Sequence, residues 1–293
     1  MFYIGLAPFV PTDFNRKPRS FDDLCHWKAT EFRLFGFYTG LLVAHDFFPD
    51  EYYKHFLLYF CAIRLMSTSD ITPEDISLAR DFLNSFVQEY ADFYERRSVT
   101  YNVHALLHLP EIVEVYGSLD TFSAYRFENF LQHIKRKITK KHQILPQLYN
   151  RMEEEFAIMP LKTCGNPSYS DQFRLTTPYF GANFAYRTCI FSTYEITANE
   201  RDGCCEIDNN FAISIVGFCD YDGVKGVIGR RYQDHNPFFL SPVNSTTVGI
   251  YKVTTLADDA DFYAISRITG KFMRLPHQNT IVLIKLLHEN MTE

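Results

Sequence analysis

One tryptophan, no C-x-x-C pair and no long apolar run set the limits of this sequence. Its seven cysteines are odd in number and irregular in spacing, which argues against a disulfide framework and for a reducing compartment. No stretch approaches the roughly 20 apolar residues that a membrane-spanning helix needs. The opening MFYIGLAPFV is apolar but has neither a basic n-region nor a small-residue cleavage site, so no secretory signal is expected. The chain therefore reads as intracellular, nuclear or cytoplasmic, and not secreted. The N-x-S/T sequons at Asn244 and Asn290 are then chance occurrences.

A basic excess is also missing. The formal net charge is −6, so any nucleic-acid contact has to come from a local patch. There is no nucleophile elbow, phosphate loop, dinucleotide fingerprint or EF-hand loop. Gly223, Gly226 and Gly229 lie in a strand-rich stretch with no helix after them, so they read as hairpin glycines and not as a phosphate cradle. No small-molecule cofactor and no membrane partner is expected.

What is present is apolar and aromatic. Hydrophobic residues make up 46% of 293 positions, with 28 Phe and 19 Tyr, which suffices for a sizeable core and about two domains. The first half reads as helices. Ser20 and Asp23 form a capping-box pattern ahead of a helix carrying Leu24, Trp27, Phe32 and Phe35, with Gly36 as its weak point. Asp50 caps a second helix through Ile63. Thr72, Pro73 and Asp75 start a third, which should run to about Arg96 with Ile76, Ala79, Leu83, Phe86 and Tyr90 on one face. Two shorter helices follow Tyr101, parted by Pro110. Phe127, Phe130, Leu131, Ile134 and Ile138 define another, and a last one spans about Gln147 to Phe156.

Composition changes near Pro160 to Tyr169, and period-2 patterns take over. Phe211 to Val216 reads as a strand, Asp220 to Gly223 as a turn and Val224 to Tyr232 as the return strand. Gly249 to Val253, Phe262 to Ile268 and Thr280 to Leu286 are further strands. Thr269-Gly270 and His277-Gln278-Asn279 supply turns.

Lys135, Arg136, Lys137, Lys140 and Lys141 form the one dense basic run, flanked by His133 and His142. Phosphate contact is the functional reading, because point charges release counterions without regard to base sequence. The alternative is a solvated helix end whose cations suit the macrodipole. His104 and His108 share a helix face at zinc-ligand spacing, but no Glu follows His104 and no cysteine pair is near, so packed histidines are expected. Cys25-His26 and Cys204-Cys205 are similarly weak ligand sets, and no metal site is assigned.

The order of several short motifs carries a resemblance. Trp27-Lys28-Ala29-Thr30-Glu31-Phe32-Arg33 is followed by Ala62-Ile63-Arg64-Leu65, Tyr101-Asn102-Val103-His104, Gly117-Ser118-Leu119-Asp120 and Phe127-Glu128-Asn129. Ile228-Gly229-Arg230-Arg231 and Gly249-Ile250-Tyr251-Lys252-Val253 come later. In this order they resemble the C-terminal half of transposase-like proteins of CACTA/EnSpm-type DNA transposons, in the version found in animal genomes. The resemblance implies an RNase H-like core in which three carboxylates hold two metal ions for in-line displacement at a phosphodiester. It makes Glu31 the ancestral candidate for the third acid and Glu128 the alternative. The residues alone read more plainly: Glu31 as a helix-surface glutamate beside an apolar stripe, Glu128 as a buried carboxylate bonded to backbone or to Arg126. The first two acids are not found, so an upstream part of the core is expected to be lacking. Mg²⁺ or Mn²⁺ is expected only where such a core is present. Gly36 also departs from the family, in which the segment after the glutamate is uninterrupted.

The expected fold class is α+β, segregated. Residues 1–160 form a helical domain resembling the periphery of a transposase core. Residues 170–293 form a small all-β domain, barrel- or sandwich-like, that serves as an interaction module. The expected function is that of a transposon-derived, transposase-like fragment without independent catalysis, binding nucleic acid or protein. The alternatives are an incomplete gene prediction of an active DDE/D-type DNA transposase, and a domesticated DNA-binding regulator. DNA is the expected partner of the basic run, and a protein partner that of the β domain.

Overall fold

A computed structural model of the chain describes residues 2–140, 142–163, 173–181, 184–191 and 194–287. It divides into two compact units, Met1–Thr121 with Arg174–Glu293, and Phe122–Phe173. Composition changes from helix to strand near residue 160, yet the helices up to Tyr116 and most of the sheet share the first unit.

The first unit opens with a short helix α1 (Phe2–Gly5) and a 3-10 turn over Phe21–His26. The sequence predicts one helix from Ser20 through Phe35, and here the structure differs. Ser20 accepts the Asp22 N–H, but the turn ends where Trp27 and Lys28 adopt extended backbone. Trp27 drives the break: its indole N–H donates to the Ser20 carbonyl at 3.2 Å, and its ring packs on Tyr3, Phe21 and Phe32. Helix α2 (Ala29–Leu34) starts afresh and widens into a π-turn over Phe35–Thr39 before continuing as α3 (Gly40–Phe47). The expected weak point, Gly36, lies within that π-turn.

Helix α4 (Asp50–Met66) follows Pro49, which leaves Asp50 as its first helical residue and not its cap. Helix α5 (Pro73–Tyr94) starts as predicted. The Thr72 hydroxyl accepts the Asp75 N–H at 3.2 Å, and the Asp75 carboxylate accepts the Thr72 N–H at 3.1 Å. Ile76, Ala79, Leu83 and Phe86 form its buried stripe. Two short helices follow, α6 (Tyr101–Ala105) and α7 (Leu109–Tyr116). Pro110 sits in the first turn of α7, where its missing N–H costs nothing, and the break falls instead at a 3-10 turn over Leu106–His108.

The second unit holds α8 (Tyr125–Lys137) and α9 (Ile144–Thr163). The Gln147 side chain closes the turn between them. It accepts the Lys140 N–H at 3.0 Å and donates to the His142 carbonyl at 2.6 Å.

The strands are β1 (Phe173–Gly181), β2 (Phe184–Phe191), β3 (Glu195–Thr197), β4 (Cys204–Ile207), β5 (Phe211–Tyr221) and β6 (Val224–Arg231). They continue as β7 (Asn236–Pro237), β8 (Ile250–Val253), β9 (Asp261–Ala264), β10 (Ile268–His277) and β11 (Thr280–Lys285). They form one antiparallel network of order β1-β2-β5-β4-β10-β11-β8-β7, with β3 on β2, and β6 joining β5 to β9. The class is therefore segregated α+β, as expected, and the sheet does not close into a barrel.

Two of the three predicted turns, at Asp220–Gly223 and His277–Asn279, close two-residue hairpins. Tyr221 pairs with Val224 across Asp222 and Gly223, both at positive φ, and His277 pairs with Thr280. Thr269-Gly270 is not a turn. It lies inside β10, at a register shift against β4, where a Cβ on residue 270 would stand 3.2 Å from the Glu206 carboxylate. All four residues of β4 are buried. Neighbouring strand residues point to opposite faces, so β4 is covered on both.

Polar contacts tie the N-terminal segments to the sheet region within this unit. Arg64 of α4, 1% exposed, donates to the carbonyls of Phe37, Val248 and Lys285 at 2.9–3.0 Å. Burial lowers its pKa to about 10, so it remains charged at neutral pH. Gly249 makes room for this contact: it has φ 71°, and a Cβ there would meet Lys285 at 2.9 Å. Lys271, fully buried, donates to Asp13 at 2.5 Å, to Asp202 at 2.9 Å and to the Glu195 carbonyl at 2.6 Å. Finally, the Leu287 N–H donates to the Tyr38 hydroxyl at 3.2 Å.

Two outcomes follow. Arg64→Met removes a donor from three carbonyls and should destabilise the unit by at least about 3 kcal/mol, read as a lower urea midpoint; Arg64→Lys should recover only part of it. Burial alone would raise the Asp202 pKa, but Lys271, the Thr12 N–H and Arg201 outweigh it and hold it at about 2, below the ordinary 3.8. A depressed carboxylate stabilises the fold above its unfolded pKa, and that contribution disappears as pH falls from about 4 through about 2. Asp202→Asn should flatten this limb of a stability-against-pH curve while lowering stability at pH 7.

Candidate functional site

Glu31 stands in the first turn of α2, 3% exposed. Its Oε1 accepts Arg19 Nε at 2.5 Å, and its Oε2 accepts Arg19 Nη2 at 2.9 Å and the Lys28 N–H at 2.8 Å. This is a two-pronged guanidinium contact combined with a helix-start contact. The Arg19 hydrogen bond holds the Glu31 carboxyl below the usual range, against the opposing effect of burial. Both oxygens are thus engaged in fixing the start of α2 against the Arg19 segment. The alternative acid, Glu128, lies on α8 with its side chain outside the described residues.

The basic run falls at the C-terminal end of α8 and just beyond it. Lys135, Arg136 and Lys140 are exposed. Lys137 pairs with Glu155 of α9, which also meets His133 at 3.4 Å. Lys137 and His133 hold the Glu155 carboxyl below its ordinary pKa. Lys141 lies outside the described residues. Phe127, Phe130 and Leu131 of the same helix are also exposed.

None of the weaker ligand sets gathers three donors among the described residues. His104 and His108 do share a face, with rings 5.5 Å apart, but both are exposed, and His108 meets Glu111 at 3.8 Å. Cys25 is an exposed thiol in the 3-10 turn. Cys204 and Cys205 are buried on opposite faces of β4, and burial pushes the Cys204 thiol up to about 12, which makes it a poor nucleophile. An apolar pocket of about 560 Å³ opens beside α1, lined by Phe2, Tyr3, Phe21, Phe47 and Phe48, with Asp22 at its polar side.

One further cluster comes together in the first unit. The last turn of α3 presents His45 and Asp46, and the end of β10 presents His277. Asp46 Oδ1 lies 2.8 Å from His45 Nδ1 and 2.8 Å from His277 Nε2. Among the described residues this is one group of His, Cys, Asp or Glu compact enough to hold a metal ion. Burial would raise the Asp46 pKa, but the two imidazoles outweigh it and hold the carboxylate below its ordinary range. Phe238 packs against both imidazoles, at 5.0 and 5.3 Å between ring centres, and Tyr53 stands edge-on to His45. Sequence spacing could not find this cluster, because 231 residues separate Asp46 from His277. The adjacent His45-Asp46 pair at a helix end is the only signal the sequence carries for it.

Residues 173–286 match the model of a family described as a domain of unknown function, DUF8592. No curated protein and no solved structure matches the chain.

Proposed function

We propose that the chain is a transposon-derived, transposase-like protein that binds nucleic acid through the basic end of α8 and does not itself break or join strands. The observation that carries the binding half is the exposure of Lys135, Arg136 and Lys140 together, on the helix that also exposes Phe127 and Phe130. Cations of this kind neutralise phosphates whatever the base sequence, and exposed aromatic rings offer faces on which unpaired bases stack. Lys137 adds less to the reading, since it is already paired with Glu155; Lys141 is part of the same basic run in sequence.

The non-catalytic half rests on Glu31. A carboxylate of a two-metal site must leave its oxygens free for the ions. Those of Glu31 are taken up by Arg19 and the Lys28 N–H. Mg²⁺ or Mn²⁺ catalysis would require further acids to act with it. The order of motifs from Trp27 to Val253 supports descent from a transposase. A protein partner for the sheet remains the second reading of the expected interaction module.

Two measurements test this. Affinity for a duplex and for a single strand should fall with salt, and replacing Lys135, Arg136 and Lys140 together by Ala should lessen the log–log slope by about 2 to 3. An unchanged affinity and slope would end the phosphate-contact reading. Glu31→Gln should lower the melting temperature by at least about 2–4 °C and leave nucleic-acid affinity intact. Mg²⁺-dependent strand cleavage by the purified chain, abolished by Glu31→Gln, would instead identify an enzyme.

A further inference from the structure

We propose that His45, Asp46 and His277 bind a divalent transition-metal ion, zinc foremost, at a site with three protein ligands and one open position. The proposal is independent of the nucleic-acid reading and concerns the other compact unit.

The donor set is the first argument. Two imidazole nitrogens and a carboxylate oxygen lie within 4.8 Å of one another. Two nitrogen donors favour zinc and its first-row neighbours over magnesium or calcium, which prefer all-oxygen shells. Three protein ligands and a solvent position are the usual arrangement of an open zinc site.

Geometry is the second argument. With bonds of about 2.0–2.1 Å, a tetrahedral zinc ion keeps its donors about 3.3 Å apart. The two nitrogen–oxygen distances here are 2.8 Å, so small side-chain rotations admit the ion. In the hydrogen-bonded trio each imidazole points an N–H at Asp46. On metal binding those two nitrogens give up their N–H, the ring protons move to His45 Nε2 and His277 Nδ1, and the carboxylate keeps its charge.

The surroundings suit an ion that arrives from solvent and is then held. The His277 side chain is 5% exposed and fixed at a hairpin end, whereas the side chains of His45 and Asp46 are 35% and 21% exposed. Phe238 walls one side, and Tyr53, whose hydroxyl is buried without a hydrogen-bond partner, walls another. An apolar wall of this kind limits water access and strengthens the ion's hold on its ligands.

The test uses the full chain carrying Cys25→Ser, which removes the exposed thiol, stripped of metal by a chelator. Zinc is titrated by calorimetry and cobalt(II) by visible absorption. One ion per chain is expected, with a cobalt spectrum of a four-coordinate nitrogen–oxygen site and a higher melting temperature with zinc. His45→Ala and Asp46→Asn should each weaken zinc binding by at least about tenfold, as even outer-shell losses do at such sites. Because His45 and Asp46 are partly exposed, both variants should keep the wild-type circular dichroism, which separates lost ligation from lost folding. His104→Ala with His108→Ala should bind as wild type. The proposal is overturned if no saturable zinc binding occurs, if His45→Ala binds as tightly as wild type, or if the His104 and His108 substitutions remove the binding.

Discussion

Arg64 is the group around which the first unit is arranged. A guanidinium buried without a carboxylate keeps its charge only if its N–H groups meet acceptors, and here they meet carbonyls from three separate segments. Each segment is bent to serve this contact. The π-turn over Phe35–Thr39 presents Phe37, the 3-10 turn ending at the left-handed Gly249 presents Val248, and the end of β11 presents Lys285. The rings of Tyr38 and Phe60 lie within 6 Å of the charge and complete its surroundings. The buried Lys271 does the same for the N-terminal segment, gripping Asp13 and Asp202 at once. Two desolvated cations, each satisfied by residues far apart in the chain, define how helices and sheet fit within this unit.

The sequence was readable where the deciding contact is local. Thr72, Pro73 and Asp75 start a helix through atoms three residues apart, and Asp222-Gly223 turns a hairpin through its own backbone preference. It misleads where a tertiary contact decides. Trp27 looks like one member of a helical stripe until its indole reaches back to the Ser20 carbonyl and ends the turn. Thr269-Gly270 looks like a turn, but Gly270 serves the close approach of the Glu206 carboxylate inside a strand. Arg64 is an ordinary helix arginine on paper, since none of its three acceptors lies closer than 27 residues away.

The candidate sites divide in the same way. The basic end of α8 is contiguous in sequence, and the structure leaves three of its cations exposed. Glu31 stands where the resemblance implies a metal ligand, yet its immediate partner is Arg19, across the break at Trp27, in a contact that organises a helix start. The His45–Asp46–His277 cluster was invisible because a helix end and a hairpin end bring it together, and no periodicity links the two.

The long reach of the Asp13–Lys271 and Tyr38–Leu287 contacts, 258 and 249 residues, bears on synthesis. Emerging from the ribosome, Asp13 and Tyr38 cannot meet these partners until the chain up to Leu287 has been made. Until then Asp13 and the buried Arg64 lack partners that satisfy them in the finished protein. Such delayed closure slows folding and leaves sticky intermediates for chaperones to shield. A ribosome that stalls before Lys285 therefore releases a product without one of the three acceptors of Arg64, and that truncated product is a substrate for quality control.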